Sequence, residues 1–149
     1  MINNVPAELN VRDSDRKMDI DFFISKEAMR RIAQGQIHKK STMMNSKDLE
    51  TANKLKSLLE KRVKLHQMIL FGSRARGDAD ADSDMDLQVI LDEPVSRQSR
   101  KMVSDSAWET GFEAGIVLVP VVVSRDNWES GPNRASLLAK AVREEGMRI

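Results

Sequence analysis

Phe71-Gly72-Ser73-Arg74-Ala75-Arg76-Gly77, followed by Ser83-Asp84-Met85-Asp86-Leu87, is the stretch that decides how this chain folds. An apolar run, Gln67–Phe71, leads into it, and a second, Met85–Leu91, leads out. In the second run Met85, Leu87, Val89 and Leu91 alternate with Asp86, Gln88 and Ile90, the period-two pattern of a strand. Gly72–Ser83 has no period and reads as a loop between two strands. Asp84 and Asp86 stand two apart where the second strand begins. Both carboxylates therefore project from one face, while Met85 and Leu87 point into the core. Two carboxylates so close repel unless a cation lies between them. Their hard oxygens suit Mg²⁺, which takes one or two carboxylates and completes its shell with water and substrate phosphate.

Gly72 follows directly on the first strand, where a missing Cβ lets backbone N–H groups approach a phosphate. Ser73 adds a hydroxyl donor. Arg74 and Arg76 add positive charge, and an arginine can hold phosphate through two parallel hydrogen bonds. A phosphate cradle and a carboxylate pair on consecutive strands can face one another. That constellation fits phosphoryl or nucleotidyl transfer.

Gly72-Ser73, ten residues, then Asp84-x-Asp86 resembles the signature of the DNA polymerase β-like nucleotidyltransferases. The fuller strings around both halves are similar to the smallest prokaryotic members, the minimal nucleotidyltransferases with MntA-like antitoxins among them. The resemblance covers about Ser46–Ile149. It implies an α/β (α+β) fold, a short mixed β-sheet flanked by helices. It implies that Gly72 and Ser73 bind the triphosphate of a nucleotide, with Arg76 and Ser83 as further nucleotide-binding candidates. Asp84 and Asp86 become the catalytic carboxylates and the ligands of two Mg²⁺ ions. The implied reaction attaches a nucleoside monophosphate, most often AMP from ATP, to an acceptor hydroxyl and releases pyrophosphate. Many such minimal proteins are encoded beside a small helical HEPN-type protein and modify or neutralise it as an antitoxin. That partner is implied by the resemblance alone.

One departure stands out. The family's active pattern has a third carboxylate on a following strand. The matching strand here, Val117-Leu118-Val119-Pro120-Val121-Val122-Val123, contains no acid. Glu113 or Asp126 substitutes for it, or two carboxylates suffice, or catalysis is weakened or lost. Two readings stay open: a working transferase, and a nucleotide-binding relative that acts as a stoichiometric partner.

The remaining chain is consistent with a single domain. Its 149 residues carry 24 basic and 23 acidic side chains and no cysteine. Disulfide scaffolds, thiolate zinc sites and cysteine nucleophiles are thereby excluded. The near-neutral sum hides an asymmetry. Residues 1–66 are net +5, residues 67–93 net −5, and residues 94–149 net +1. Five of the nine residues in Asp78–Asp86 are aspartates, and such density needs a solvated loop or a bound cation. The longest apolar runs fall well short of the roughly 20 residues that span a bilayer. No secretory leader is visible, so a cytoplasmic protein is expected.

Residues 1–42 read as an N-terminal appendage, with one short helix over Ser25–Ile37, and the compact domain is expected over 43–149. A helix is predicted from Ser46 to Lys64, capped by Asn45 or Ser46, with Leu49, Ala52, Leu55, Leu58, Leu59 and Val63 as its stripe. A second is predicted over Val95–Glu113, with Val95, Met102, Val103, Ala107 and Phe112 toward the core. Ile116–Val123 reads as a strand, and Pro120 argues for a sheet edge or a bulge. Pro132 and Gly146 bracket a last helix with Leu137, Leu138, Ala141 and Val142 as its stripe.

Rival motifs fail on single residues. An EF-hand loop needs Gly at its sixth position and Glu at its twelfth. Starting from Asp78 these are Ser83 and Val89; starting from Asp82 the sixth is Leu87. A Walker A loop needs Lys-Ser/Thr after the second glycine, and Asp78-Ala79 stands there. His38 and His66 lack metal-ligand spacing. Trp108 and Trp128 are expected to pack rather than stack on a base. The Lys-rich segment Lys54–Lys64 has no interleaved aromatics, which makes a tRNA groove the weaker reading.

Overall fold

The computed structural model describes residues 44–149. The expected appendage over 1–42, with its helix at Ser25–Ile37, lies outside the described residues.

Helix α1 (Ser46–Arg62) starts where Asn45 Oδ1 accepts a hydrogen bond from the Lys47 N–H at 2.8 Å. Asp48 in its first turn and Lys61 and Arg62 in its last complement the helix dipole. It stops short of Lys64 because Val63 is already extended. Strand β1 (Leu65–Phe71) accordingly begins two residues before Gln67. A four-residue helix, α2 (Ser73–Arg76), occupies the start of the expected loop, and Gly77 closes it with φ 80°. Strand β2 (Met85–Leu91) has the expected bounds and is buried throughout.

Helix α3 (Arg97–Ala114) is capped at Ser96 by reciprocal hydrogen bonds with Ser99, and Gly115 ends it with φ 73°. Strand β3 (Leu118–Ser124) follows. Three short helical elements follow. They are α4 (Arg125–Ser130), a 3₁₀ turn (Pro132–Ala135) and α5 (Leu137–Glu145). Pro132 therefore opens the 3₁₀ turn rather than the last helix. That helix is capped by Ser136 Oγ, which accepts from the Ala139 N–H at 3.1 Å. A two-residue strand, β4 (Met147–Arg148), ends the sheet.

The strand order is β3-β2-β1-β4. β1 runs antiparallel to β2 and β4, and β2 runs parallel to β3. The sheet is mixed and helices cover it, as the resemblance implied. β3 lies at an edge, where Pro120 loses no ladder hydrogen bond on its open side.

One face of the sheet carries Met68, Leu70, Met85, Leu87, Val89 and Leu91 against Ala52, Leu55 and Leu59 of α1 and Val103 and Ala107 of α3. The other face carries Ile69, Phe71, Ile90 and Val121 against Leu138 and Val142 of α5. Alternation along β2 places Asp86 and Gln88 on this second face.

Four apolar residues depart from the expected core. Phe112 is 74% exposed, Trp108 70%, Leu137 50% and Leu49 42%. Trp128 does pack: it is half-buried against the second core, with the Arg143 guanidinium 4.7 Å over its ring. Among the described residues no helix is long and apolar enough to cross a membrane.

Candidate active site

Phe71 and Asp86 are paired across the β1–β2 ladder. The residue after Phe71 therefore turns beside the Asp86 carboxylate. Gly72 does this with φ 78° and ψ −159°, a conformation that side chains disfavour. A Cβ built on Gly72 would lie 2.6 Å from Asp86 Oδ2. Two separate constraints thus require glycine: the backbone angle and the carboxylate packed against it. Because its N-cap is glycine, α2 has no side-chain cap, and its first turn begins at Ser73 against this carboxylate. Asp86 and Ser73 are buried, whereas Asp84 is exposed one position before the strand. Met85 donates its N–H to the Val117 carbonyl at 2.8 Å, which fixes the exit of the acidic loop against the start of β3.

The two arginines of the motif turn inward. Arg74 Nη1 donates to Asp48 Oδ1 at 2.8 Å, and the side chains are 8% and 10% exposed. Arg74 also donates from Nε and Nη2 to the Ser83 carbonyl, at 3.0 and 2.7 Å, and from Nη2 to the Ala81 carbonyl at 3.2 Å. One guanidinium thus ties α1 to the loop segment directly before Asp84. Its sequence reading as charge for a phosphate is replaced by this role as a clamp. The guanidinium of Arg76 is equally engaged. Its Nη1 donates to both Glu145 carboxylate oxygens at 3.2 and 3.1 Å, and its Nε to Asp78 Oδ2 at 3.3 Å. Arg76 and Glu145 are 7% and 6% exposed, so the nucleotide-binding candidate Arg76 is spent on joining α2 to α5. Ser83 likewise shapes the loop, its Oγ accepting from the Asp80 N–H at 2.9 Å.

The third position beside the pair is apolar. Val119 is the β3 partner of Asp86 in the parallel ladder, and it is buried. Farther along the same face, Gln88 Nε2 donates to the Val121 carbonyl at 2.9 Å. Neither substitute acid lies beside Asp86. Glu113 forms an ion pair with Lys54 of α1, which packs on the opposite face. Asp126 follows Ser124, the partner of Leu91, and that end of β2 is roughly 16 Å from Asp86 at strand rise. Among the described residues no group of three or more His, Cys, Asp or Glu could hold a metal ion. The buried Asp86 carboxylate beside a glycine backbone, with Asp84 exposed two residues earlier, is chemically compatible with a Mg²⁺ ion that draws its other ligands from water and phosphate. A second ion would find fewer protein ligands.

The family model described as "Polymerase beta, Nucleotidyltransferase" matches residues 53–118, a span that contains Gly72, Ser73, Asp84 and Asp86. None of the curated proteins matches the sequence. Among solved structures, the chain is similar to a mutant of the toxin–antitoxin pair MntA–HpeT, with 20% identity and a TM-score of 0.48 over 64% of this chain and 69% of the other. A toxin–antitoxin structure with AMP-PNP gives 22% identity and a TM-score of 0.45 over 64% and 69%. A tri-AMPylated Shewanella oneidensis HEPN toxin in complex with an MNT antitoxin gives 19% and 0.45 over 68% and 70%. The resemblance carried by the motif and the family match fall on the same residues.

Proposed function

We propose that this chain is a nucleotidyltransferase that binds a nucleoside triphosphate, ATP in the first instance, with Mg²⁺, and transfers the nucleoside monophosphate to a hydroxyl on a partner protein. The observation that carries this reading is the Asp86 carboxylate held against the Gly72 backbone, two residues from the exposed Asp84. Backbone N–H groups at Gly72 and Ser73, with the Ser73 hydroxyl, orient the triphosphate. Asp84 and Asp86 would hold Mg²⁺; the resemblance implies two ions. When bound, the metal neutralises phosphate charge and lowers the cost of deprotonating a hydroxyl. The acceptor hydroxyl loses its proton to solvent, its oxygen bonds to the α-phosphorus, the bond from that phosphorus to the bridging oxygen breaks, and pyrophosphate leaves. Asp84, the exposed carboxylate, faces the side from which an acceptor enters. Arg74 keeps it there by holding the carbonyls of Ala81 and Ser83. Arg76 and Ser83 support the loop.

The transferring unit spans residues 43–149, with 1–42 as an appendage, and it works in a cytoplasm that supplies ATP and Mg²⁺. A HEPN-type protein is the partner that the resemblance and the structural neighbours suggest. Val119 beside Asp86 favours a second reading, in which the chain binds nucleotide and partner with little turnover. The test is incubation of the full chain with Mg²⁺, ATP labelled at its α-phosphate, and separate candidate proteins and tRNA. Label on a protein that disappears in Asp84→Asn and Asp86→Asn supports the transferase. Nucleotide binding without label transfer supports the second reading. Neither binding nor transfer overturns both.

A further inference from the structure

Trp108 and Phe112 stand one turn apart on α3 and stack on each other, with ring centroids 5.2 Å apart and planes 19° from parallel. They are 70% and 74% exposed, and Val117 is 62% exposed. Contiguous exposed apolar surface of this kind marks interaction sites. The rings line an open groove of about 920 Å³ between α3 and the edge of β3, together with Val117, Leu118, Pro120 and Asp84. An apolar surface is therefore continuous with one of the two candidate metal ligands.

We infer that this groove docks an amphipathic helix of a partner protein, apolar on one face and basic along its rim, and brings its hydroxyl to Asp84. The inference rests on the transferase reading of Asp84 and Asp86. Three features select this occupant. Pro120 removes an N–H from the middle of the edge strand, which disfavours an added strand and leaves contact to side chains. The groove presents aromatic and aliphatic groups that a helix can engage with residues spaced three and four apart. The loop leading to its Asp84 end is acidic: Arg74 and Arg76 are buried against Asp48 and Glu145, while Asp80 and Asp82 are exposed and keep their charge when Asp84 holds a metal. A basic rim is attracted there. A nucleic-acid backbone, which needs a positive track, is repelled.

The test uses the full chain and a labelled 20-residue helical peptide with a leucine face, flanking lysines and arginines, and one tyrosine. Fluorescence anisotropy should report binding that weakens at least tenfold in Trp108→Ser/Phe112→Ser. Binding should weaken similarly when glutamates replace the peptide's basic residues. Both substituted side chains are exposed, so the variant keeps its fold. A photoreactive benzoylphenylalanine at position 108 should cross-link to the peptide. Equal binding by the double variant overturns the inference, as does tighter binding of a single-stranded oligonucleotide. Cross-links to a second copy of the chain, or to its own residues 1–43, overturn it as well. Calorimetry with ATP and Mg²⁺ on the same sample separates the two claims. Nucleotide binding without peptide binding removes the groove alone; peptide binding without nucleotide binding upholds the groove and removes the transferase reading.

Discussion

Gly72 and Asp86 touch across the first two strands so closely that a single added carbon on Gly72 would fall 2.6 Å from Asp86 Oδ2. The contact follows from the Phe71–Asp86 pairing, which puts the turn at Gly72 beside the carboxylate. It joins the two halves of the motif into one site. Gly72→Ala should therefore displace Asp86 and strain the backbone. The expected destabilisation is about 1–3 kcal/mol, accompanied by at least a tenfold loss of affinity for ATP with Mg²⁺. Chemical denaturation and calorimetry check the two effects separately. Unchanged affinity would remove Gly72 from the site.

Arg74 and Asp48 form a buried ion pair, with the other donors of Arg74 on loop carbonyls. Arg74→Met leaves Asp48 buried without its partner, and such a loss costs about 3–5 kcal/mol. Adding Asp48→Leu should recover a large part of it, because the orphaned charge is gone. A double-mutant cycle in urea measures the coupling. Additive losses would show that the pair is not coupled.

Arg76 separates two roles that the sequence leaves together. As a phosphate ligand it would be dispensable for folding. Paired with Glu145 at 3.1 Å, both almost fully buried, it is a fold residue. Arg76→Met and Glu145→Gln should each lower the thermal unfolding midpoint, the former by roughly 10 °C or more. A large drop in nucleotide affinity with an unmoved midpoint would return Arg76 to the phosphate.

Val119 is the β3 residue paired with Asp86, on the strand that contains no acid. Val119→Asp should lower the midpoint in EDTA, since a second carboxylate would then be buried beside Asp86. Mg²⁺ should restore more stability to the variant than it adds to the wild type, because binding to the native state stabilises it. Thermal melts with and without Mg²⁺ check this. A variant indifferent to Mg²⁺ would argue against a metal at Asp86.

Much of this fold is legible in the sequence because its signals are local. Met85–Leu91 alternates cleanly, and Asn45 caps the first helix as its chemistry predicts, whereas the cap at Ser96 lies inside the range predicted from Val95. What was not legible depends on distance or brevity. Helix α2 is too short to show a period, and β4 exists only because it pairs with Ile69 and Leu70. Trp108 and Phe112 lie among Val103 and Ala107 at spacings that suit a core stripe. The packed face of α3 instead runs through Val103, Ala107, Thr110 and Gly111. At the candidate site, the approach of Gly72 to Asp86 follows from consecutive strands that the sequence pattern shows. The partners of Arg74 and Arg76 could not be read from it, since Asp48 and Glu145 are 26 and 69 residues away.

Gly72, Ser73, Asp84 and Asp86 are proposed to form one metal–nucleotide site. Titration calorimetry of ATP into the full chain, with Mg²⁺ and then with EDTA, tests it most directly. Binding should require Mg²⁺ and weaken at least tenfold in Asp84→Asn/Asp86→Asn, with the fold intact by circular dichroism. Equal ATP affinity in the wild type and the double variant, or binding indifferent to Mg²⁺, would contradict it.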